Sequence, residues 1–167
     1  MADVKFEDFS FSVKAALDDV AIAWLHTWGA EISSDAKDNC QLDDDAGIQL
    51  RKSYSYRVYE DQGEAHIGSP LESAYWEEYG TGSYAIHGDG RKGWWVYIKG
   101  QEPQGGGRTY ASKEEAMETV AYLRSLGLDA YASNGRPPNY TLEKAFTKNK
   151  PKAIADMERQ LKEKMGE

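Results

Sequence analysis

The sequence predicts an α+β fold, with a long N-terminal helix packed on a small antiparallel sheet, an inserted helix-strand unit and a C-terminal helix. Three patterns carry this prediction. Apolar residues recur at helical spacing from residue 12 to about residue 38, side-chain character alternates at strand period in SYSYRVY, and helical spacing returns in KPKAIADMERQLKEKM. A chain of 167 residues is long enough for one core, so we expect a single domain over 1–167 with an insertion at 105–135.

The predicted N-terminal helix has a wide apolar face that includes two tryptophans. Exposure of so much apolar area is unfavourable in water, so we expect this face to be buried in the core. Gly29 lies inside the helix, where a glycine costs about 1 kcal/mol relative to alanine, and we therefore expect a weak point or a bend there. The residues that define the face are Val13, Leu17, Val20, Trp24 and Trp28.

The middle of the chain predicts a hairpin, a short helix and a further strand. After an acidic turn, QLDDDAG, the residues Tyr54, Tyr56 and Val58 alternate with other residues as in a half-buried strand. The segment AHIG follows a short turn and completes an antiparallel hairpin. About two turns of helix over ESAYWEEYG end at Gly80, and WWVYI forms the next strand.

The remaining segments predict the inserted unit and the last helix. The glycine-rich stretch GQEPQGGGR opens the insertion, and Ser112 and Glu115 have the spacing of a capping box at a helix start. Gly127 stands where that helix should end, before the strand LDAYAS. We expect the final helix to begin near Pro151, because proline is favoured in a first helical turn. Its predicted apolar face consists of Ile154, Met157, Leu161 and Met165.

The charge and hydropathy of the chain exclude two classes of partner. The net charge is -8, and the first 50 residues carry 11 of the 28 acids but only 3 of the 20 bases. Sequence-specific nucleic-acid binding needs a clustered basic face, which this sequence lacks, so we expect no specific nucleic-acid partner. The mean hydropathy is -0.73 and no apolar run reaches about 18 residues, so we expect no membrane partner.

Two loop segments are similar to ligand-binding motifs without fulfilling them. Residues 88–93 satisfy G-x-G-x-x-G, but a dinucleotide site needs a strand before this motif and a helix after it, whereas a strand follows here. We interpret the segment as a hairpin loop. Asp43, Asp44, Asp45 and Gly47 are similar to the start of a calcium loop, but Tyr54 occupies the twelfth position, where a bidentate glutamate belongs. A solvated turn accounts for these acids better.

Candidate catalytic groups are equally isolated in the sequence. The three histidines have no spacing typical of a metal site, and Cys40 has no nucleophile signature around it. Glu77 and Glu78 are adjacent, which directs them about 100° apart on a helix and not toward one substrate. We expect no enzyme activity, no cofactor and no metal.

Several blocks of the sequence share one family pattern. The first is HIGSPLESAYWEEYGTG, the second is CQLDDDAGIQLRKS, and GRKGWWVYIKGQEPQ and RPPNYTLEKAF continue the pattern. The second block precedes the first in the chain, and in this chain order the blocks resemble the tail-completion, or head-tail joining, proteins of long-tailed phages and prophages. The segment 105–135 departs from the family pattern. The residues at matching positions are Ala74, Trp76, Glu78, Tyr79, Gly80, Thr81 and Gly82 in the first block, and Cys40, Gly47, Leu50, Arg51 and Ser53 in the second.

The resemblance implies a structural virion protein at the junction of head and tail, which acts by assembly into a ring and not by catalysis. It implies other neck, portal-adaptor or tail subunits as partners, and a homo-oligomer in the assembled state. It also implies the host cytoplasm during assembly, and later the virion, as the location. The residues expected to form subunit contacts or the family signature are Trp76, Glu78, Tyr79, Gly80, Thr81, Gly82, Leu50 and Arg51.

Two other functions stay open at this point. The 5 tryptophans and 11 tyrosines could stack on sugars or bases in a ligand-binding module, although protein interfaces use the same residues. A small orphan hydrolase that uses Cys40 or His87 is the second alternative.

The acidic first third of the chain agrees with a channel wall that repels DNA phosphates, and an ordinary solvated face explains it about as well.

Overall fold

A computed structural model describes residues 10–41, 45–101 and 107–165, and it confirms the α+β class. The chain forms two compact units: unit 1 consists of Met1–Leu71 and Thr141–Glu167, and unit 2 of Glu72–Tyr140. None of the described helices is long and apolar enough to cross a membrane. The elements are α1 Ser10–Asn39, α2 Asp45–Ser53, β1 Ser55–Tyr59, β2 Glu64–Gly68, α3 Glu72–Tyr79, β3 Trp94–Ile98, β4 Thr109–Tyr110, α4 Lys113–Ser125, β5 Ala130–Ser133 and α5 Thr141–Met165.

In unit 1 the long helix α1 packs on the hairpin β1–β2 and on α5, as the predicted apolar face requires. Both tryptophans of α1 are half-buried, and each indole also makes a hydrogen bond to α5. Trp24 Nε1 donates to the backbone carbonyl of Ala153 at 2.9 Å, and Trp28 Nε1 donates to Asp156 Oδ2 at 3.0 Å. These bonds fix the contact between the two helices at a defined register.

A buried polar group joins α1 and α5 nearer the other end of the contact. Asp35 accepts hydrogen bonds from Lys148 Nζ at 2.8 Å and from Asn149 Nδ2 at 2.6 Å. The hydrogen bond from Lys148 holds the pKa of Asp35 below its usual value. The carboxylate therefore stays ionised although its residue is buried.

Gly29 has a packing role inside α1. A Cβ atom at this position would lie 2.6 Å from Cδ2 of Tyr56, so the absent side chain makes room for the tyrosine ring of β1. The sequence predicted a weak point from helix propensity alone. The structure adds the close approach of helix and hairpin as a reason for glycine here.

Three predictions for the helices of unit 1 were wrong. The predicted acidic turn continues as a helix from Asp45, because α2 spans Asp45–Ser53 and buries Gly47, whereas a solvated turn was predicted for Asp45 and Gly47; Asp43 and Asp44 lie outside the described residues. The last helix begins at Thr141, so Pro151 lies inside α5 and not in its first turn. Helix α5 tolerates the proline because packing on α1 buries a row of side chains that spans it: Thr141, Ala145, Asn149 and Ala153. The predicted apolar face is wrong at Ile154 and Met165, which are exposed.

Unit 2 contains a three-stranded antiparallel sheet in the order β4-β3-β5, with α4 in contact with all three strands. The sequence predicted β3 and β5 but neither their pairing nor β4. Val96 lies opposite Ala132, and Trp94 lies opposite Tyr110. Since both β4 and β5 come from the 105–135 segment, that segment contributes both strands that pair with β3. Gly105, the predicted start of the insertion, lies outside the described residues, and the single domain over 1–167 stays a prediction.

The predicted caps of α4 are confirmed. Ser112 Oγ accepts from the backbone N–H of Glu115 at 3.2 Å, and the Glu115 carboxylate accepts from the N–H of Ala111 at 3.2 Å. Gly127 has a positive φ of 82°, and the N–H groups of Gly127 and Leu128 donate to carbonyls of the last turn. Both ends of the helix are thereby capped.

Candidate functional site

The short helix α3 of unit 2 carries a cluster of four rings. The Tyr75 ring lies 5.1 Å from that of Trp76 and 5.0 Å from that of Tyr79, and the His87 ring lies 4.7 Å from Tyr79. His87 comes from the loop that follows α3, and the N–H of Ile86 in this loop donates to the carbonyl of Tyr79 at 3.1 Å. The loop is therefore folded back beside the helix.

Part of this cluster faces solvent. Tyr75 of α3 is 37% exposed, and the segment after α3 presents Tyr84, at the end of a 3-10 helix over Gly82–Tyr84, at 47% and Ile86 at 49% exposure. Large apolar groups that are exposed on one helix and on the segment directly after it are typical of a surface that contacts another protein. We call Tyr75, Tyr79, Tyr84, Ile86 and His87 the aromatic surface.

One hydrogen bond joins the aromatic surface on α3 to Asp89 in the loop before β3. The Tyr75 hydroxyl donates to Asp89 Oδ2 at 3.0 Å. This hydrogen bond raises the pKa of Tyr75 above its usual value, because ionisation would place two negative oxygens together. Tyr75 therefore remains a neutral donor at physiological pH.

The buried carboxylate of Glu77 ties α3 to the segment that follows β5. The residue Glu77 is only 3% exposed, and its Oε1 accepts from Asn139 Nδ2 at 2.9 Å while Oε2 lies 3.3 Å from Arg136 Nη1. The backbone repeats the link, since the carbonyl of Glu77 accepts from the N–H of Asn139 at 2.8 Å. We call Glu77, Arg136 and Asn139 the carboxylate lock.

The glycines of the signature segment allow the backbone of residues 80–82 to pack directly against that of residues 134–138. We call this contact the backbone junction. Gly80 and Gly82 have φ values of 77° and 60°, which side chains rarely adopt. A Cβ at Gly80 would lie 2.9 Å from the carbonyl oxygen of Arg136, and one at Gly82 would lie 2.3 Å from that of Asn134. Thr81 completes the junction, because its Oγ1 accepts from the N–H of Arg136 at 3.0 Å and its own N–H donates to the carbonyl of Arg136 at 2.9 Å.

The structure thus divides the predicted site residues by role. Trp76 and Tyr79 belong to the ring cluster and are half-buried, whereas Gly80, Thr81 and Gly82 form the backbone junction. Glu78 is buried beside the lock, and its carbonyl accepts from the N–H of Tyr140 at 3.3 Å.

The other two predicted site residues belong to unit 1. Leu50 is fully buried in α2, so its side chain presents no surface in this chain. Arg51 donates from Nη2 to the backbone carbonyl of Cys40 at 3.1 Å and so ties α2 to the end of α1. Their assignment to a subunit contact stays a prediction.

The isolated catalytic candidates have ordinary surroundings. Cys40 is buried directly after α1, and a strand follows the G-x-G-x-x-G segment, as its interpretation as a loop requires. Among the described residues, no three His, Cys, Asp or Glu side chains lie close enough together to hold a metal ion.

The carboxylate lock was the part of the site that sequence reasoning missed. Glu77 was considered only beside Glu78, and its partner Asn139 is 62 residues away in the chain.

No family model, curated protein or solved structure matches this chain.

Proposed function

We propose that this chain is a structural virion protein at the head-tail junction of a long-tailed phage or prophage, and that it acts by assembly with neighbouring subunits. Its partners would be neck, portal-adaptor or tail subunits, and copies of itself in an assembled ring. Assembly would take place in the host cytoplasm before the protein becomes part of the virion. This proposal assigns the chain no catalytic step.

The observation that supports the proposal most is the aromatic surface and its rigid base. The rings of Tyr75 and Tyr79 are held in one arrangement by each other and by Asp89, while α3 is tied down by the carboxylate lock. A preorganised surface loses little side-chain entropy when a partner binds. Exposed tyrosines on such a base have the character of interface anchors, which contribute most of the binding energy in many complexes.

The family resemblance supports a role of this surface in assembly. The signature segment EYGTG contains Tyr79 of the aromatic surface and the backbone junction that follows α3. The glycines of the motif therefore have a structural reason of their own, since they let residues 80–82 meet residues 134–138. A motif that builds the base of an exposed aromatic surface agrees with a family that works by protein contacts.

The hydrolase alternative has less support. The Cys40 thiol is 3% exposed and belongs to unit 1, while His87 packs among the tyrosines of unit 2. A screen for hydrolase activity with Cys40→Ala and His87→Ala variants tests this alternative, because loss of a measured activity in either variant would favour it. The ligand-binding alternative rests on a different part of unit 2, described below.

Truncation of an anchor tests the proposed docking surface. We expect Tyr84→Ala to weaken binding to the neighbouring subunit by about 2 kcal/mol or more while the protein stays folded. Tyr122→Ala is the matched control, since Tyr122 is a 64% exposed tyrosine of α4 outside the aromatic surface. Circular dichroism reports the fold, and the yield of joined particles reports assembly. Equal yields from the two folded variants would contradict the assignment of this surface.

A further inference from the structure

Unit 2 contains a second feature, a cavity beside the three-stranded sheet. Its volume is about 640 Å³, and Trp95, Tyr97, Tyr110 and Leu123 are among its walls. Binding sites for small molecules in proteins commonly measure about 300 to 1,000 Å³. The cavity is therefore large enough for a ligand of that class.

The sheet topology explains where the cavity lies. Within the described residues, β4 pairs with β3 only at Trp94 and Trp95, and the cavity runs along Val96, Tyr97 and Ile98, where this pairing has ended. The cavity therefore lies along the part of β3 that β4 leaves unpaired.

The charge of the cavity wall is positive. Its described lining residues include Arg91 and Arg108 but neither Asp nor Glu. Arg108 pairs with Glu115 at 2.9 Å, which compensates its charge. Arg91 donates only to neutral oxygens within the described chain, namely the carbonyls of Gly107 and Arg108 and the hydroxyl of Thr109. Among the residues that the structure describes, no carboxylate pairs with the Arg91 guanidinium.

Arginines lie over two aromatic rings of the wall, and a third ring, that of Tyr97, stacks on Tyr131 at 5.7 Å. The Arg91 guanidinium lies 5.2 Å from the centre of the Trp95 ring, and that of Arg108 lies 4.9 Å from the centre of the Tyr110 ring. Tyr97 lines the same cavity and is 43% exposed. Exposed aromatic rings bind planar groups by stacking, and arginines beside them bind anionic groups.

We propose that this cavity binds a ligand that combines a planar ring with an anionic group, the chemistry of a nucleotide. A free mononucleotide and one unit of a single nucleic-acid strand share this chemistry. Binding to either would be independent of base sequence, because rings that stack do not read base edges. A neutral glycan fits less well, since it has no anionic group for the two arginines of the wall. The proposal does not rest on the role at the head-tail junction.

The motif G-x-G-x-x-G contains Arg91 but does not form a dinucleotide site here, since a strand and not a helix follows it. A dinucleotide fold would bind phosphate with backbone N–H groups at the start of a helix, whereas here a side-chain guanidinium and the rings of β3 and β4 supply the contacts. The acidic first third of the chain also belongs to unit 1 and not to the sheet of unit 2.

Calorimetry on the full chain with AMP, and fluorescence anisotropy with a labelled oligothymidylate, test the proposal. We expect AMP or the oligonucleotide to bind with a Kd below about 1 mM. Arg91→Gln and Tyr97→Leu should each weaken binding at least about fivefold. Tyr97→Leu keeps the proposal open to disproof if Arg91→Gln fails to fold. The matched controls are Lys92→Gln and Tyr122→Leu, which replace an exposed cation and an exposed tyrosine of unit 2 outside the cavity lining.

The outcomes separate the sources of the ligand. A much lower Kd for the oligonucleotide than for AMP would identify a strand, and similar values would identify a free nucleotide; both support the proposal. Absence of binding by both probes would overturn it, as would binding that neither cavity variant weakens. Tighter binding of a neutral chitooligosaccharide than of AMP would also overturn it and favour a glycan ligand. None of these results bears on particle assembly, so the two proposals fail separately.

Discussion

Removal of the Glu77 carboxylate should destabilise unit 2 by an amount that the lock geometry sets. The bond from Asn139 Nδ2 to Glu77 Oε1 is 2.9 Å long and buried, and a hydrogen bond to a charged group contributes about 1.5 to 3 kcal/mol. The side chain of Arg136 is 39% exposed, so its ion pair adds only about 0 to 1 kcal/mol. We therefore expect Glu77→Ala to lower the free energy of unfolding by about 2 to 4 kcal/mol. Glu77→Gln keeps an acceptor for Asn139 and should cost about 1 kcal/mol.

Urea denaturation of the purified variants measures these differences, and hydrogen exchange at the N–H groups of Asn139 and Tyr140 localises them to unit 2. Both N–H groups donate to α3 carbonyls and should exchange faster when the lock is removed. The matched control is Glu118→Ala, which removes an exposed carboxylate from α4 and should change stability by less than about 0.5 kcal/mol. The reasoning would be refuted if Glu77→Ala and Glu118→Ala had the same stability.

Changes at Gly29, Asp35 and Ser112 should each alter the stability of the fold. Gly29→Ala should destabilise unit 1 by about 1 kcal/mol in urea, because overpacking against Tyr56 at 2.6 Å outweighs the helix propensity gained; a more stable variant would contradict this. The lowered pKa of Asp35 means that its pairing with Lys148 stabilises the fold above the unfolded pKa of 3.8 and is lost as the pH falls through the folded value. The stability difference between wild type and Asp35→Asn should therefore shrink on acidification, and a constant difference would argue against the pairing. Ser112→Ala should cost about 1 kcal/mol in thermal unfolding by loss of the α4 cap, whereas no change in melting would show that the cap contributes nothing.

Much of the fold was predictable because its signals are local. The apolar face of α1, the alternation in β1, and the Ser112 cap with its Gly127 stop each lie within a short window of sequence. What the sequence could not predict depends on partners far along the chain. Helix α5 continues through Pro151 because its other residues pack on α1, and β5 belongs beside β3 although a helix separates them in sequence.

The candidate site shows the same division. Trp76 and Tyr79 were predicted from the signature segment, and both lie in the ring cluster of α3. The carboxylate lock was not predicted, because a glutamate in a short helix gives no sign that an asparagine 62 residues later will bury it. The positive cavity was likewise hidden, since its wall combines β3, β4 and α4. Both the carboxylate lock and the cavity form from residues that are far apart in the sequence, which composition cannot predict.

Electron microscopy of a lysate from a phage that lacks this gene tests the proposed role in joining heads to tails by protein contacts. We expect capsids and tails to be made and to accumulate as separate particles. Complementation with the wild-type gene should restore joined virions, whereas a folded Tyr84→Ala variant should restore fewer than the Tyr122→Ala control. Normal joined virions in the deletion lysate would contradict the account.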